Sequence, residues 1–225
     1  MTAETLSGVF AAGRDNRAID LLARTTYAMR ADAGFVARAD DVAAAVFFSE
    51  ESPAVLASDA LDRVLGRIDE AERLDRKARA AAVQRDAMGA EIAALPSPVR
   101  EAAMRALAEH HRWTFAGLGI QRLVLFTDRD EHAELLRIEP GHGVADHDHE
   151  GEELTLVLTG AYHDGHAAYL PGDVSIARPG FVHTPRAEPG EVCYALLAYR
   201  GAPRFKGAIG LAQRAFGFPT PLNKR

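Results

Sequence analysis

The period of the apolar positions changes near the middle of this chain. From Ser58 they recur as Leu61, Val64, Leu65 and Ile68, steps of three and four that draw one stripe along a helix with Ser58 or Asp59 as N-cap. Opposite charges four apart, at Asp59/Arg63, Asp69/Arg73, Glu72/Arg76 and Asp75/Arg79, support a solvated face on the same helix. Apolar positions thin out between Leu74 and Val83, which predicts a helix that leaves a first core and bridges toward a second. Upstream, Ile19, Leu21, Leu22, Tyr27, Phe35, Val36, Val42, Val46, Phe47 and Phe48 supply the apolar side of two or three further helices. Pro96 and Pro98 interrupt this pattern, and Ser97 as N-cap with Pro98 at the first helical position predicts a short helix to Ala108.

Beyond Trp113 the period drops to two. Residues 121–127, 133–139, 154–160, 173–177 and 192–198 read as strands, separated by Gly, Pro and Asp. The expected organisation is α+β in two domains: a small all-α domain over 1–94, a linker with a short helix over 95–111, and a β domain over 112–217. In the third strand Glu153, Thr155 and Val157 share one face while Leu154, Leu156 and Leu158 take the other. Both faces must then be covered, the leucine side by another sheet, by the helical domain or by a second copy of the chain in a homodimer.

Composition narrows the function classes. The 225 residues are 48% apolar and 26% charged, enough to build a core in each half. A formal charge of -6 speaks against a nucleic-acid surface, so direct DNA binding is not expected. No apolar run approaches the roughly 20 residues of a membrane span, and the N-terminus lacks the pattern of a signal peptide, which points to the cytoplasm. The single cysteine, Cys193, rules out an internal disulfide and sits in an apolar run where a thiol serves as a small hydrophobe.

The chemistry concentrates in Gly141–Gly160, where His147, His149 and Glu153 precede an apolar strand. Strand alternation aims His147 and His149 the same way, and Glu153 keeps their parity if the chain resumes an extended path after Gly151. His183, downstream in Pro179-Gly180-Phe181-Val182-His183, is the candidate fourth ligand. Three imidazoles and one carboxylate suit a borderline divalent ion such as zinc, iron, manganese or nickel. His132, His142, His163 and His166 are expected to be solvated loop residues, while Tyr162 and Arg178 are the nearest polar candidates for supporting the site.

The segment Gly141–Gly160 carries the complete first cupin motif: Gly, five residues, His-x-His, three residues, Glu, six residues, Gly. The second motif is looser, because Pro179-Gly180 is one residue tighter than the usual Pro-x-Gly and Ala187 stands where cupins often have Asn. The resemblance implies a cupin barrel, a double-stranded β-helix or jelly roll, for the C-terminal domain. Residues 112–217 further resemble the ChrR-type anti-sigma factors along 146–158, 160–162, 172–173, 183–185, 187–190 and 202–205, which implies zinc on His147, His149, Glu153 and His183. Residues 31–69 are similar to the anti-sigma domain of that family, notably Glu50-Glu51-Ser52-Pro53-Ala54-Val55-Leu56. Its His-x-x-x-Cys-x-x-Cys zinc motif falls here on Tyr27, Ala31 and Gly34, none of them a usual zinc ligand.

Two functions follow. The resemblance implies a regulator whose helical half binds an extracytoplasmic-function sigma factor while the metal-bound cupin senses a small molecule or oxidant. The residues alone also admit a metal-dependent cupin enzyme, a dioxygenase or hydrolase on a small carbonyl compound.

Overall fold

The computed structural model describes residues 16–30, 58–59, 61–63, 65–67, 70, 87–129, 131–201 and 203–207. Helix α1, Arg17–Met29, starts at Asn16, whose side-chain oxygen accepts from the Ile19 N–H at 2.9 Å and so satisfies one of the free donors of the first turn. Ala18, Leu21, Leu22, Thr25 and Thr26 form its buried stripe. The two threonine hydroxyls donate to the Leu21 and Leu22 carbonyls at 2.8 and 2.9 Å, which lets them enter an apolar interface without an unmet hydrogen bond. Helix α2, Ala87–Ala94, leads to α3, Ser97–Ala108. Ser97 is the first helical residue of α3 and its hydroxyl bonds Glu101; the N-cap is Pro96, one position earlier than expected, with no side-chain cap.

Eleven strands follow among the described residues: β1 Thr114–Gly117, β2 Ile120–Asp128, β3 Glu131–Ile138, β4 His147–His149, β5 Glu153–Thr159, β6 Tyr162–His163, β7 Ala168–Tyr169, β8 Val174–Ala177, β9 Arg186–Ala187, β10 Cys193–Arg200 and β11 Pro203–Phe205. The main antiparallel sheet runs β1-β2-β3-β10-β5-β8, accompanied by the pair β11-β4 and the three-stranded sheet β7-β6-β9. This is the expected β domain of a cupin, with each major strand found within two residues of its expected bounds.

The expected division of β5 into two faces holds. Leu154, Leu156 and Leu158 pack in one core with Leu196, Leu135 and Leu123 and with Leu21, Leu22, Val99 and Ala103 of α1 and α3. The leucine side is therefore covered by helices. The other face carries Ile120, Leu136, Ile138, Val157, Ala195, Leu197 and Tyr199, and Cys193 is fully buried there, its thiol pushed up to about 12 by desolvation. Two clamps tie the helices down. Arg30, at the end of α1, donates to the Gly172 carbonyl at 2.7 Å and to Asp173 at 2.6 Å, while Glu91 of α2 pairs with Arg137 at 2.7 Å and accepts from the Tyr194 hydroxyl at 2.6 Å.

Helical turns are present at 61–63 and 65–67, where Ser58 and Asp59 precede them as expected and Asp59 pairs with Arg63 at 3.2 Å. Their expected core face is open: Leu61 and Leu65 are 67% and 50% exposed. The remaining apolar positions of that segment, and Phe35, Phe47 and Phe48, lie outside the described residues.

Candidate metal centre

The two histidines of β4 and His183 meet because strand pairing joins distant segments. An isolated bridge pairs His147 with His183, and their backbones exchange hydrogen bonds at 3.2 and 3.0 Å. Gly151 lets the chain turn from β4 into β5, because a Cβ there would stand 2.5 Å from the Arg200 carbonyl oxygen. Gly160, at φ +64, closes the motif at the far end of β5.

The donor atoms converge. His183 Nε2 lies 3.0 Å from His147 Nε2 and 3.0 Å from His149 Nε2, and Glu153 Oε2 is 3.5 Å from His149 Nε2. Donors placed tetrahedrally at about 2.0–2.2 Å from one ion stand roughly 3.3–3.6 Å apart, close to this spacing. His147 Nδ1 faces the Ala145 carbonyl at 2.8 Å; donation there leaves Nε2 as a free lone pair, the tautomer a metal requires. Several imidazole lone pairs at such distances repel one another, and a cation between them turns that repulsion into coordination. The three buried histidines could thus hold a metal ion. His149 Nδ1 is buried with no protein partner.

Electrostatics favours ligands over charges. Desolvation lowers all three imidazoles, His149 to about 4 and His183 to about 3, so they are neutral and able to coordinate at ordinary pH. Desolvation raises the Glu153 carboxyl, which accepts a hydrogen bond from Thr155 at 3.1 Å. A histidine whose pKa is depressed on folding stabilises the fold above its unfolded value of 6.5, and that contribution is lost as pH falls toward the folded value. Stability of the metal-free protein, measured by urea titration, is therefore expected to fall between about pH 6.5 and pH 4, with His149→Gln flattening the slope in that window.

The residues around the site only partly match expectation. Tyr162 is buried, lines the cavity beside the histidines and shares a short hydrogen bond with Ser175. Arg178, the residue after β8, is exposed and faces Glu152 at 3.7 Å. His132 lies on β3 with its ring stacked on Tyr199 at 4.9 Å, not in a loop. Asp148, between the two β4 histidines, accepts from Arg204 and Lys206, both at 2.8 Å, and its pKa is lowered first by the Lys206 bond. That pair fastens β11 to β4 and sets the Phe205 ring 5.3 Å from His147.

A cavity of about 90 Å³ opens beside the ligands, lined by apolar residues of β2, β3 and β10 and by Arg122, Glu134, Thr155, Tyr162 and Tyr199. Sequence reasoning missed Arg122, Glu134 and Tyr199. Glu134, a carboxylate flanked by Ala133, Leu135 and Leu136 in a strand buried on both faces, was the available signal.

Comparison with known proteins agrees with this architecture. Residues 101–201 match the family described as the ChrR Cupin-like domain. The anti-sigma-E factor ChrR of Cereibacter sphaeroides is 32% identical over 206 residues, 92% of either chain. A chain from the crystal structure of Rhodobacter sphaeroides SigE in complex with the anti-sigma ChrR superposes with a TM-score of 0.59 at 30% identity, covering 88% of this chain and 96% of that one. A cupin from Ralstonia eutropha is more distant, at 18% identity and a TM-score of 0.41. With near-complete coverage of a relative at this identity and the same cupin motif in place, this chain belongs to the ChrR family of anti-sigma factors.

Proposed function

We propose that this protein is a cytoplasmic anti-sigma regulator. Its helical half, in the division 1–94, 95–111 and 112–217, holds an extracytoplasmic-function sigma factor, and its cupin carries one divalent ion, foremost zinc with iron or manganese as the alternatives, on His147, His149, Glu153 and His183. The observation that carries the reading is the likeness along nearly the whole chain to an anti-sigma factor, and to a chain crystallised as a complex between SigE and ChrR. Two features of the fold support it. Leu61 and Leu65 present an apolar stripe to solvent, the kind of surface a partner covers. Helix α1 packs on the opposite face of the sheet that bears Glu153, so a change at the site is one sheet thickness from the helical half.

Regulation then works by differential affinity: a small molecule or oxidant reaching the cupin favours one arrangement of α1 on the sheet, and the hold on the partner changes with it. At Tyr27, Ala31 and Gly34 the helical half lacks the usual zinc-ligand residue types of the motif that the family resemblance implies. Among the described residues no helix is long and apolar enough to cross a membrane.

Co-expression with the candidate sigma factor is expected to yield a co-purifying complex whose cupin metal is found by elemental analysis. Absence of a complex under both reducing and oxidising conditions would overturn the regulatory reading.

A further inference from the structure

We propose that Arg122 and Glu134 form a polar hook in the wall of the cavity, and that the cavity takes a compact neutral molecule carrying one hydroxyl or primary amide group. The proposal supplies the ligand class for the sensing role above and rests on that role only for its biological meaning; the binding itself stands on geometry.

Arg122 on β2 and Glu134 on β3 lie on the face of the sheet that lines the cavity. They approach each other without closing, with Nη1 3.6 Å from Oε1. Glu134 is 3% exposed, and its carboxylate is engaged by Tyr199. Arg122 Nε and Glu134 Oε1 are nevertheless both buried without a hydrogen-bond partner in the protein. A buried donor and a buried acceptor without partners are costly to the fold, and a group that both accepts and donates meets the needs of both. A hydroxyl does this with one oxygen and a primary amide with its two ends.

The surrounding wall fixes the rest of the molecule. Ile120, Leu136, Ile138, Ala195 and Leu197 offer only apolar contact. A carboxylate head group carries no donor for the unpartnered Glu134 oxygen and so meets only half of the pair. The volume of about 90 Å³ is well below the roughly 150 Å³ that accommodates benzene, which limits the ligand to about five heavy atoms.

Nuclear magnetic resonance titration of the full metal-bearing chain tests this with four probes of equal size: butan-1-ol, propionamide, methyl propyl ether and propionate. Butan-1-ol and propionamide are expected to shift amides of β2, β3 and β10 with dissociation constants on the order of millimolar. Binding should be roughly tenfold tighter than for the ether, which accepts but cannot donate, and than for propionate. In the double variant Arg122→Met/Glu134→Leu, which removes both charges and so leaves neither one buried alone, the alcohol and the ether should bind alike. Equal binding of alcohol and ether to the unmodified chain, or binding of no probe, overturns the proposal whether or not the variant folds. Sigma-factor co-purification from the same preparations separates the two readings: a retained complex without probe discrimination sinks only the hook, and discrimination without a complex sinks only the regulatory role.

Discussion

His149→Ala is expected to strip the cupin of its metal. His149 Nε2 stands between His183 at 3.0 Å and Glu153 at 3.5 Å, so its loss removes the donor that links the two remaining sides of the site. The ring is 2% exposed, enclosed with the other two histidines of the cluster. A metal free in solution at about a thousand times its dissociation constant stabilises the fold by roughly 4 kcal/mol, and losing that corresponds, for a chain of this length, to a fall in melting temperature of roughly 10 °C. Elemental analysis and thermal melts of His149→Ala and His142→Ala, side by side, check this. His142 bonds the Pro140 carbonyl away from the ligands, and its variant should keep full metal content. Stoichiometric metal in His149→Ala would show the ligand assignment to be wrong.

Leu22→Ala is expected to destabilise the protein by about 3 kcal/mol without loss of metal. Leu22 is fully buried where α1 meets the leucine side of the sheet, and truncating such a residue costs the transfer free energy of the lost carbons plus the cavity they leave, 2 to 5 kcal/mol in comparable cores. The candidate ligands His147, His149 and Glu153 line the cavity on the other side of that sheet, so their geometry should survive. Hydrogen exchange is the discriminating measurement: protection should fall along Arg17–Met29 first, while β5 and β10 stay protected. A variant that loses metal together with helix protection would mean that α1 and the site unfold as one unit.

Set side by side, these variants separate what local pattern encodes from what it does not. The strand positions, the two faces of β5 and the shared direction of His147 and His149 were legible because alternation along a strand is a local property, whereas the bridge that brings His183 to His147 is a long-range pairing. The cupin spacing then fixed which loop brings Glu153 back toward that face. Arg178 follows β8 by one position, beyond the reach of strand parity, and its exposed side chain stands 3.7 Å from Glu152.

Other features needed the third dimension. That helices, and not a second sheet or a second chain, cover Leu154, Leu156 and Leu158 depends on how α1 and α3 dock, which no periodicity in either segment specifies. The Arg30 clamp spans 142 residues and the Glu91–Arg137 clamp 46, distances over which single-chain patterns carry no information on pairing. The open pair Arg122–Glu134 is of the same kind: apolar neighbours mark Glu134 as buried, but only the register of β2 against β3 sets Arg122 near it. Sequence by itself determined which side chains share a strand face and which faces must be buried, because those follow from residue type and parity. Only the tertiary structure decided what covers each face and which buried polar atoms are left unmatched, because strand register and helix docking are set by the packing of the whole core.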